Sequence, residues 1–300
     1  MNLLWSPVNL IVNLAHRDGA STFAIAAVRW TTLALLLGLL LATPWFRGLT
    51  GAKWPGRRDG LTCVVLGLLL FGPSHALYYF AITKTSSFEG TALGTTAPIW
   101  VALLSFFFLR EHIGWARAIS IVIGFVGAYL VSVGFQLPSL SQGHTFGNSL
   151  YLLAVFMECI AGVWSIHIAR RTSGITVLWL QILGAAVFMI LGPVLFPTAL
   201  AFSISGTGLT FWACIGYLVV FSGLITFSVW YTLAERAPLS LMVVTILMQP
   251  PLAALLGVWF LGETVTVNVA VGTGLILAAL ALSAFGNRSV TETPPTVAEA

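Results

Sequence analysis

The segment that decides the fold reads APIWVALLSFFFLRE at residues 97–111, and it returns 152 residues later as QPPLAALLGVWFLGE at residues 249–263. The same offset places Tyr79 on Tyr231, so the similarity extends beyond one segment. An internal repeat of this kind sets the architecture in which every shorter motif must be placed. The repeat predicts a duplicated membrane unit, an arrangement typical of transporters.

The amino-acid composition is that of a membrane protein. Of the 300 residues, 58% are hydrophobic and only 7% are charged, whereas a soluble domain carries roughly 25% charged residues. Long apolar runs recur along the chain, each close to the ~20 residues that cross a bilayer as a helix. Short strands of alternating polarity separated by turns are absent from the sequence, which disfavours an outer-membrane barrel. We therefore predict an all-α integral membrane protein.

The apolar runs predict ten transmembrane helices. They cover approximately residues 1–15, 21–43, 61–83, 86–109, 115–134, 147–169, 174–196, 209–234, 238–260 and 264–286. Five spans in each copy is an odd number, so the second copy enters the membrane from the opposite side and the repeats are inverted. We predict a first repeat over residues 1–135, a second over residues 147–286 and a disordered cytoplasmic tail over residues 287–300.

Basic residues predict the orientation of the chain, because cytoplasmic loops of membrane proteins carry an excess of Lys and Arg. With the amino terminus inside, ten of the 13 Lys and Arg residues fall on the cytoplasmic side. Only Arg17 and Lys84 fall outside, and Arg29 lies within a span. We expect both termini to face the cytoplasm, with the protein in the cytoplasmic (inner) membrane. The net charge of +4 then reflects topology, and no nucleic-acid partner is predicted.

The first predicted span is short. Residues 1–15 would reach about 22 Å at 1.5 Å per residue, against about 30 Å of hydrocarbon. If Trp5-Ser6 is matched to Trp164-Ser165, the sixth helix has about seventeen residues before its tryptophan and the first helix has four. We therefore expect the first helix to be truncated, with the true translation start upstream.

Short motifs in both halves point to a known family. They are Trp5-Ser6-Pro7-Val8-Asn9, Ala27-Val28-Arg29-Trp30, Tyr78-Tyr79, Pro98 to Glu111, Trp164-Ser165, Trp230-Tyr231 and Pro250 to Glu263. With these motifs the chain resembles the EamA family of the drug/metabolite transporter superfamily. The resemblance implies two inverted five-helix repeats and export of small metabolites, often amino acids or related amphipathic compounds, across a cytoplasmic membrane. Ser6-Pro7 departs from the family pattern, in which Gly commonly follows the tryptophan.

Three ionisable residues lie inside predicted spans, where such groups usually face a cavity or a partner. Glu158 is the twelfth residue of its span; it is predicted to bind a substrate amine or couple protons, and the alternative is a hydrogen-bonded structural acid. His75 lies mid-span in the third helix, either on a substrate pathway or as a structural histidine. Arg29 is predicted to pair with Glu158 or hold a carboxylate, and a structural contact to backbone carbonyls is the alternative.

Polar and aromatic residues complete the predicted substrate site, although packing is the alternative role for each aromatic ring. They are, in chain order, Asn9, Asn13, Tyr78, Tyr79, Trp164, Trp230, Tyr231 and Gln249. Aromatic rings suit flat or apolar ligands and cation–π contact with an amine. Pro98 and Pro250 remove backbone donors and are predicted to break helices beside the cavity, unless they only improve packing.

The predicted function is a secondary transporter that exports small metabolites by alternating access around a site at the membrane midplane. The sequence lacks a Walker glycine loop, so a substrate or ion gradient is the expected energy source. A drug or toxic-compound efflux carrier of the same fold is the alternative. An intramembrane enzyme is disfavoured because no HExxH, no GxSxG and no paired aspartates occur, and a non-transporting scaffold because Glu158 and His75 lie within spans. No catalytic residue, metal site or cofactor is predicted; the expected partners are a small-molecule substrate and membrane lipid, for a monomer or homodimer.

Overall fold

The computed structural model describes residues 1–82, 84, 93–94, 96–110, 113–133, 145–198, 200–252, 255 and 267–285. Every regular element among these residues is a helix, and none of them is in a strand. The prediction of an all-helical protein is therefore confirmed for this part of the chain. The tail predicted to be disordered, residues 287–300, lies outside the described residues.

Fourteen α-helices are described, and we number them in chain order. The first eight are α1 Asn2–Trp5, α2 Val8–Arg17, α3 Thr22–Ala42, α4 Pro44–Thr50, α5 Arg57–Leu66, α6 Gly72–Ile82, α7 Ala97–Phe108 and α8 Trp115–Val133. The remaining six are α9 Thr145–Ala169, α10 Gly174–Leu195, α11 Leu209–Val219, α12 Thr226–Ala234, α13 Leu239–Ile246 and α14 Val267–Phe285. Two wide π-helical turns, Gly67–Phe71 and Val220–Ile225, join α5 to α6 and α11 to α12 into longer helices.

Several helices are long and apolar enough to cross a membrane. The five longest are Thr22–Ala42, Arg57–Ile82, Phe146–Ala169, Gly174–Leu195 and Leu209–Ala234. Shorter apolar helices are Ala97–Phe108, Trp115–Val131, Leu241–Leu252 and Val267–Ser283. These elements support a multi-pass membrane protein, whereas ten crossings and inverted repeats stay predictions.

The first predicted span is divided. Its two parts, α1 and α2, are separated at Ser6-Pro7, where Pro7 stands as the N-cap of α2 and has no amide hydrogen to donate. The Ser6 hydroxyl donates back to the Asn2 carbonyl at 2.7 Å and closes the end of α1. The second helix then continues to Arg17, two residues beyond the predicted end.

Helices α3 and α10 pack against each other in the middle of the bundle. Their buried side chains include Trp30 and Leu33 on α3 and Ile182 on α10, each fully buried. Helix α10 also approaches α5 very closely at Gly184, where an added Cβ would lie 2.0 Å from the Val64 carbonyl oxygen. Small residues permit such backbone contact in membrane proteins, in which close packing rather than the hydrophobic effect holds helices together.

One hydrogen bond recurs at the 152-residue offset of the sequence repeat. Arg29 Nη1 donates to Tyr79 Oη in the first half, and Tyr231 Oη donates to Gln181 Oε1 in the second. Arg29 corresponds to Gln181 and Tyr79 to Tyr231 at that offset. The two halves therefore share local geometry as well as sequence, while the charge at this position is present in the first half alone.

Candidate functional site

A cavity of about 840 Å³ lies among the helices, with walls contributed by both halves of the chain. Its lining comes from α1, α2, α3, α6 and α7 in the first half of the chain and from α9, α11, α12 and α13 in the second. Small-molecule sites usually occupy roughly 300–1,000 Å³ and combine apolar walls with a few polar groups. The cavity fits that description, because aromatic and aliphatic side chains form most of its wall.

The cavity brings together ten of the thirteen residues predicted to form the substrate site, the ion pair or the helix breaks. They are Asn9, Arg29, His75, Tyr78, Tyr79, Glu158, Trp230, Tyr231, Gln249 and Pro250. Asn13, Pro98 and Trp164 are not among the lining residues. The ten lining residues lie on helix faces turned to the cavity, and the other three do not.

Trp164 points away from the cavity, and its predicted place in the site is corrected. Its side chain is 42% exposed, and its ring lies 5.4 Å from that of Phe108 on the outer surface. At 3.6 residues per turn, six residues from Glu158 amount to about one and two-thirds turns, which carries Trp164 to another face. Trp5 does face the cavity, so the proposed match of Trp5 with Trp164 does not describe equivalent positions.

Neither proline interrupts a helix at its own position. Pro98 is in the first turn of α7, where a missing amide hydrogen removes no helical hydrogen bond. Before Pro250, the break lies at Leu247 and Met248, whose amides donate three residues back to Val244 and Thr245. The helix resumes at Gln249, so Pro250 again stands in a first turn.

Asn13, one turn beyond Asn9 on α2, lies outside the cavity lining.

Arg29 is a buried cation held by neutral partners. Only 3% of the residue is exposed, Nη1 donates to Tyr79 Oη at 2.5 Å and Nη2 donates to Ser222 Oγ at 2.9 Å. The guanidinium carbon also lies 4.5 Å from the ring centroid of Trp30. No carboxylate among the described residues forms an ion pair with Arg29, and its Nε has no partner there. The direct Arg29–Glu158 pair considered from the sequence is therefore not formed.

His75 and Glu158 face each other across the α6–α9 contact. His75 Nε2 lies 3.9 Å from Glu158 Oε1, and His75 Nδ1 lies 2.9 Å from the Phe71 carbonyl oxygen. A carbonyl oxygen only accepts, so Nδ1 carries a proton and donates it to the Phe71 carbonyl. The other ring nitrogen, Nε2, faces the Glu158 carboxyl. The Glu158 side chain is 42% accessible against 8% for His75. The carboxyl thus opens onto the cavity, with the imidazole behind it.

Tyr151 belongs to the site, although the sequence reasoning missed it. It lines the cavity beside Tyr78, with ring centroids 4.9 Å apart, and the Tyr78 hydroxyl donates to Asn9 Oδ1. A usable signal was present, because Tyr151 precedes Glu158 by seven residues and positions seven apart share one helical face. Ser222 was also missed; it lies in a π-helical turn, which a regular helical pattern does not anticipate.

An aromatic group forms the part of the wall contributed by α1 and α12. Trp5 packs against Phe227 and Trp230, with ring centroids 5.2 and 5.7 Å apart. The Trp5 indole Nε1 donates to the Ser222 carbonyl at 3.2 Å and so fixes this ring in place. At the 152-residue offset Phe227 corresponds to His75. Equivalent positions of the two halves therefore carry an imidazole in the first half and a phenyl ring in the second, and both rings pack against Trp30.

Comparison with known proteins decides the family. The model of the EamA-like transporter family matches residues 2–133 and residues 145–285. The chain belongs to the EamA-like transporter family. The resemblance found in the sequence is thereby confirmed, and the matched segments cover both halves that share the Arg29 and Gln181 hydrogen-bond geometry.

Similar proteins are also transporters by name. An uncharacterized transporter of Archaeoglobus fulgidus is 26% identical over 259 residues, which cover 86% of each chain. Among Bacillus subtilis proteins, the uncharacterized transporter YdfC is 30% identical over 52% of this chain and 50% of its own length. The uncharacterized transporter YoaV of the same species is 23% identical, covering 76% of this chain and 77% of its own.

A crystal structure of a protein with 20% sequence identity superimposes with a TM-score of 0.74 over 97% of this chain and 96% of that one. At this identity the likeness concerns the fold. The family match and the apolar helices identify this EamA-like chain as a multi-pass membrane transporter.

Proposed function

We propose that this EamA-like protein is a secondary transporter that exports small amphipathic metabolites, such as amino acids and related compounds, across the cytoplasmic membrane. The observation that carries the proposal is the cavity, in which the buried Arg29 guanidinium and the accessible Glu158 carboxyl stand within aromatic walls. Ionisable side chains inside a membrane are costly and usually mark a transport pathway. A substrate with a charged head and an apolar body matches such a cavity.

The charged groups suggest a role for each end of the substrate. Arg29 contacts no carboxylate among the described residues, and a substrate carboxylate is a natural counter-ion for a guanidinium. Glu158 presents an accessible carboxyl that suits a substrate amine. Tyr78 and Trp230 line the cavity with aromatic rings, which suit an apolar body or the amine itself. Asn9 and Gln249 supply further hydrogen-bonding groups.

Alternating access is the mechanism we propose for this cavity. In carriers built from inverted repeats, the site lies at the repeat interface and the halves rock around it. Three observations support this arrangement here: the 152-residue repeat, the recurring hydrogen bond, and a cavity wall drawn from both halves. We propose that the chain crosses the membrane ten times, with both termini in the cytoplasm. We also propose that a substrate or ion gradient drives transport.

Counterflow in proteoliposomes tests the proposed function. Vesicles loaded with an unlabelled amino acid of apolar side chain should take up the labelled form, and the exchange should saturate. The matching amine and the matching carboxylic acid, each lacking one charged group, should exchange less well because one of the two poles has no partner. Absence of saturable exchange across amino acids, amines and amphipathic acids would overturn the proposal.

A further inference from the structure

The segment between α3 and α5 and the first two residues of α5, together residues 43–58, form a folded surface that we call the basic connector. Its helix α4 begins at Pro44 and is capped by Thr43, whose hydroxyl accepts from the Phe46 amide at 3.3 Å. Gly51 ends the helix at a φ of 61°, a left-handed conformation that favours glycine. Thr43 and Gly51 therefore favour the observed start and end of α4, and the connector is an ordered element at one end of the bundle.

The connector carries four exposed cations without counter-ions among the described residues. They are Arg47, Lys53, Arg57 and Arg58. The acid that follows them, Asp59, is already paired with Arg171, whose Nη2 lies 3.9 Å from Asp59 Oδ2. The positive charge of the connector is therefore available to an external anion.

Large apolar side chains are exposed among these cations. Trp45, Leu49 and Trp54 are 71%, 69% and 50% exposed. Trp45 and Leu49 stand four residues apart on α4 and so share one face, whereas Phe46 packs against the core. Helix α3 and the longer helix that α5 begins are long and apolar enough to cross a membrane, which would bring this apolar face to the membrane edge.

We propose that the basic connector is a binding surface for anionic phospholipids of the surrounding leaflet. Lys and Arg attract lipid phosphate groups beside a membrane, and tryptophan favours the boundary between headgroups and acyl chains. The exposed apolar face distinguishes this surface from a site for soluble phosphate, which has no use for Trp45 or Leu49. Charge and apolar area together match an anionic lipid.

The connector is linked through α10 to α12, a helix that lines the cavity. Thr176 Oγ1 of α10 donates to the Lys53 carbonyl at 2.8 Å, and the Trp54 and Trp179 rings meet at 5.6 Å. The Gly174 amide at the start of α10 donates to the Glu235 carboxylate. Glu235 directly follows α12, the helix that carries cavity residue Trp230. Lipid bound at the connector therefore stabilises this whole end of the bundle.

Thermal unfolding of the full chain in detergent tests the inference with defined lipids. Phosphatidylglycerol should raise the Tm above the value in phosphatidylcholine. That difference should shrink in R57Q/R58Q and vanish when R47Q and K53Q are added. The matched double variant R17Q/K84Q removes two cations at the other end of the bundle and should keep the full difference.

The Tm difference between the two lipids is read within each variant, so a lower baseline stability does not obscure it. Native mass spectrometry should show fewer phosphatidylglycerol adducts on R57Q/R58Q than on R17Q/K84Q. Equal Tm values in the two lipids, equal losses in both double variants, or an equivalent shift from inorganic phosphate alone would each overturn the proposal. This inference stands apart from substrate transport, because it needs no substrate.

Discussion

Arg29 carries a charge that the equivalent residue of the second half lacks. Gln181 occupies the corresponding position, and its bond to Tyr231 repeats the contact of Arg29 with Tyr79. The variant Arg29→Gln therefore copies a pair that the protein already tolerates. This makes it a test of charge more than of folding.

For Arg29→Gln we predict that KM for counterflow of a carboxylate-bearing substrate rises about 10-fold or more, because a hydrogen bond to a charged group contributes about 1.5–3 kcal/mol. The Tm in detergent should change little, since Tyr79 keeps a partner. Gln181→Glu serves as a comparison that adds charge at the equivalent place. An unchanged KM in Arg29→Gln would remove Arg29 from substrate binding.

Individual residues were predictable from the sequence to different degrees. Glu158, His75 and Arg29 could be singled out because a charge within an apolar span is costly and needs an explanation. Trp164 was misplaced because a two-residue motif does not define the rotation of its helix. Ser222 carries no such signal, since its contact with Arg29 depends on a π-helical turn.

At the scale of elements, Asp18 acts as a remote cap for α11. The N-cap of α11 is Gly208, which has no side chain, and the amides of Gly208 and Phe211 donate to Asp18 Oδ2 at 2.8 and 2.9 Å. A carboxylate at a helix amino terminus satisfies free amides and interacts favourably with the helix dipole. The turn after α2 is thus fastened to the start of α11.

We predict that Asp18→Ala lowers the free energy of unfolding by about 1 kcal/mol, the usual effect of losing a cap. Asp18→Asn should retain most of the stability because the amide oxygen still accepts. Thermal unfolding in detergent measures both. Asp59→Ala is the control, since its exposed pair with Arg171 contributes little. Equal losses in Asp18→Ala and Asp59→Ala would contradict the capping role.

Gly184 gives a second prediction at this scale. Because an added Cβ would lie 2.0 Å from the Val64 carbonyl oxygen, Gly184→Ala must separate α10 from α5. We expect a loss of about 1–3 kcal/mol, the usual effect of overpacking. Gly216→Ala is the matched control, because an added Cβ there meets nothing within 4 Å. A Gly184→Ala protein with wild-type Tm would contradict this packing.

Helix positions were easier to predict than helix interruptions. The apolar runs placed α3 and α10 to within a residue or two, because their length and composition match a membrane span. The π-helical turns and the break before Pro250 depend on how neighbouring helices satisfy backbone groups. Such tertiary contacts leave no periodic signal along the chain.

In the whole molecule, the two halves share sequence and local geometry but differ in charge. The repeat accounts for a shared architecture, while His75, which faces Glu158, corresponds to Phe227 in the second half. A cavity that combines ionisable groups with apolar walls fits an amphipathic substrate. This combination is the basis of the proposed transport function.

Counterflow by wild type and Glu158→Gln, compared in the same proteoliposomes, tests this claim most directly. Glutamine keeps the size of the side chain and removes its charge, so exchange of an amine-bearing substrate should be lost while expression and Tm are kept. Asp59→Asn, which removes a carboxylate outside the cavity, should exchange at the wild-type rate. Saturable exchange by Glu158→Gln at the wild-type rate would contradict the account.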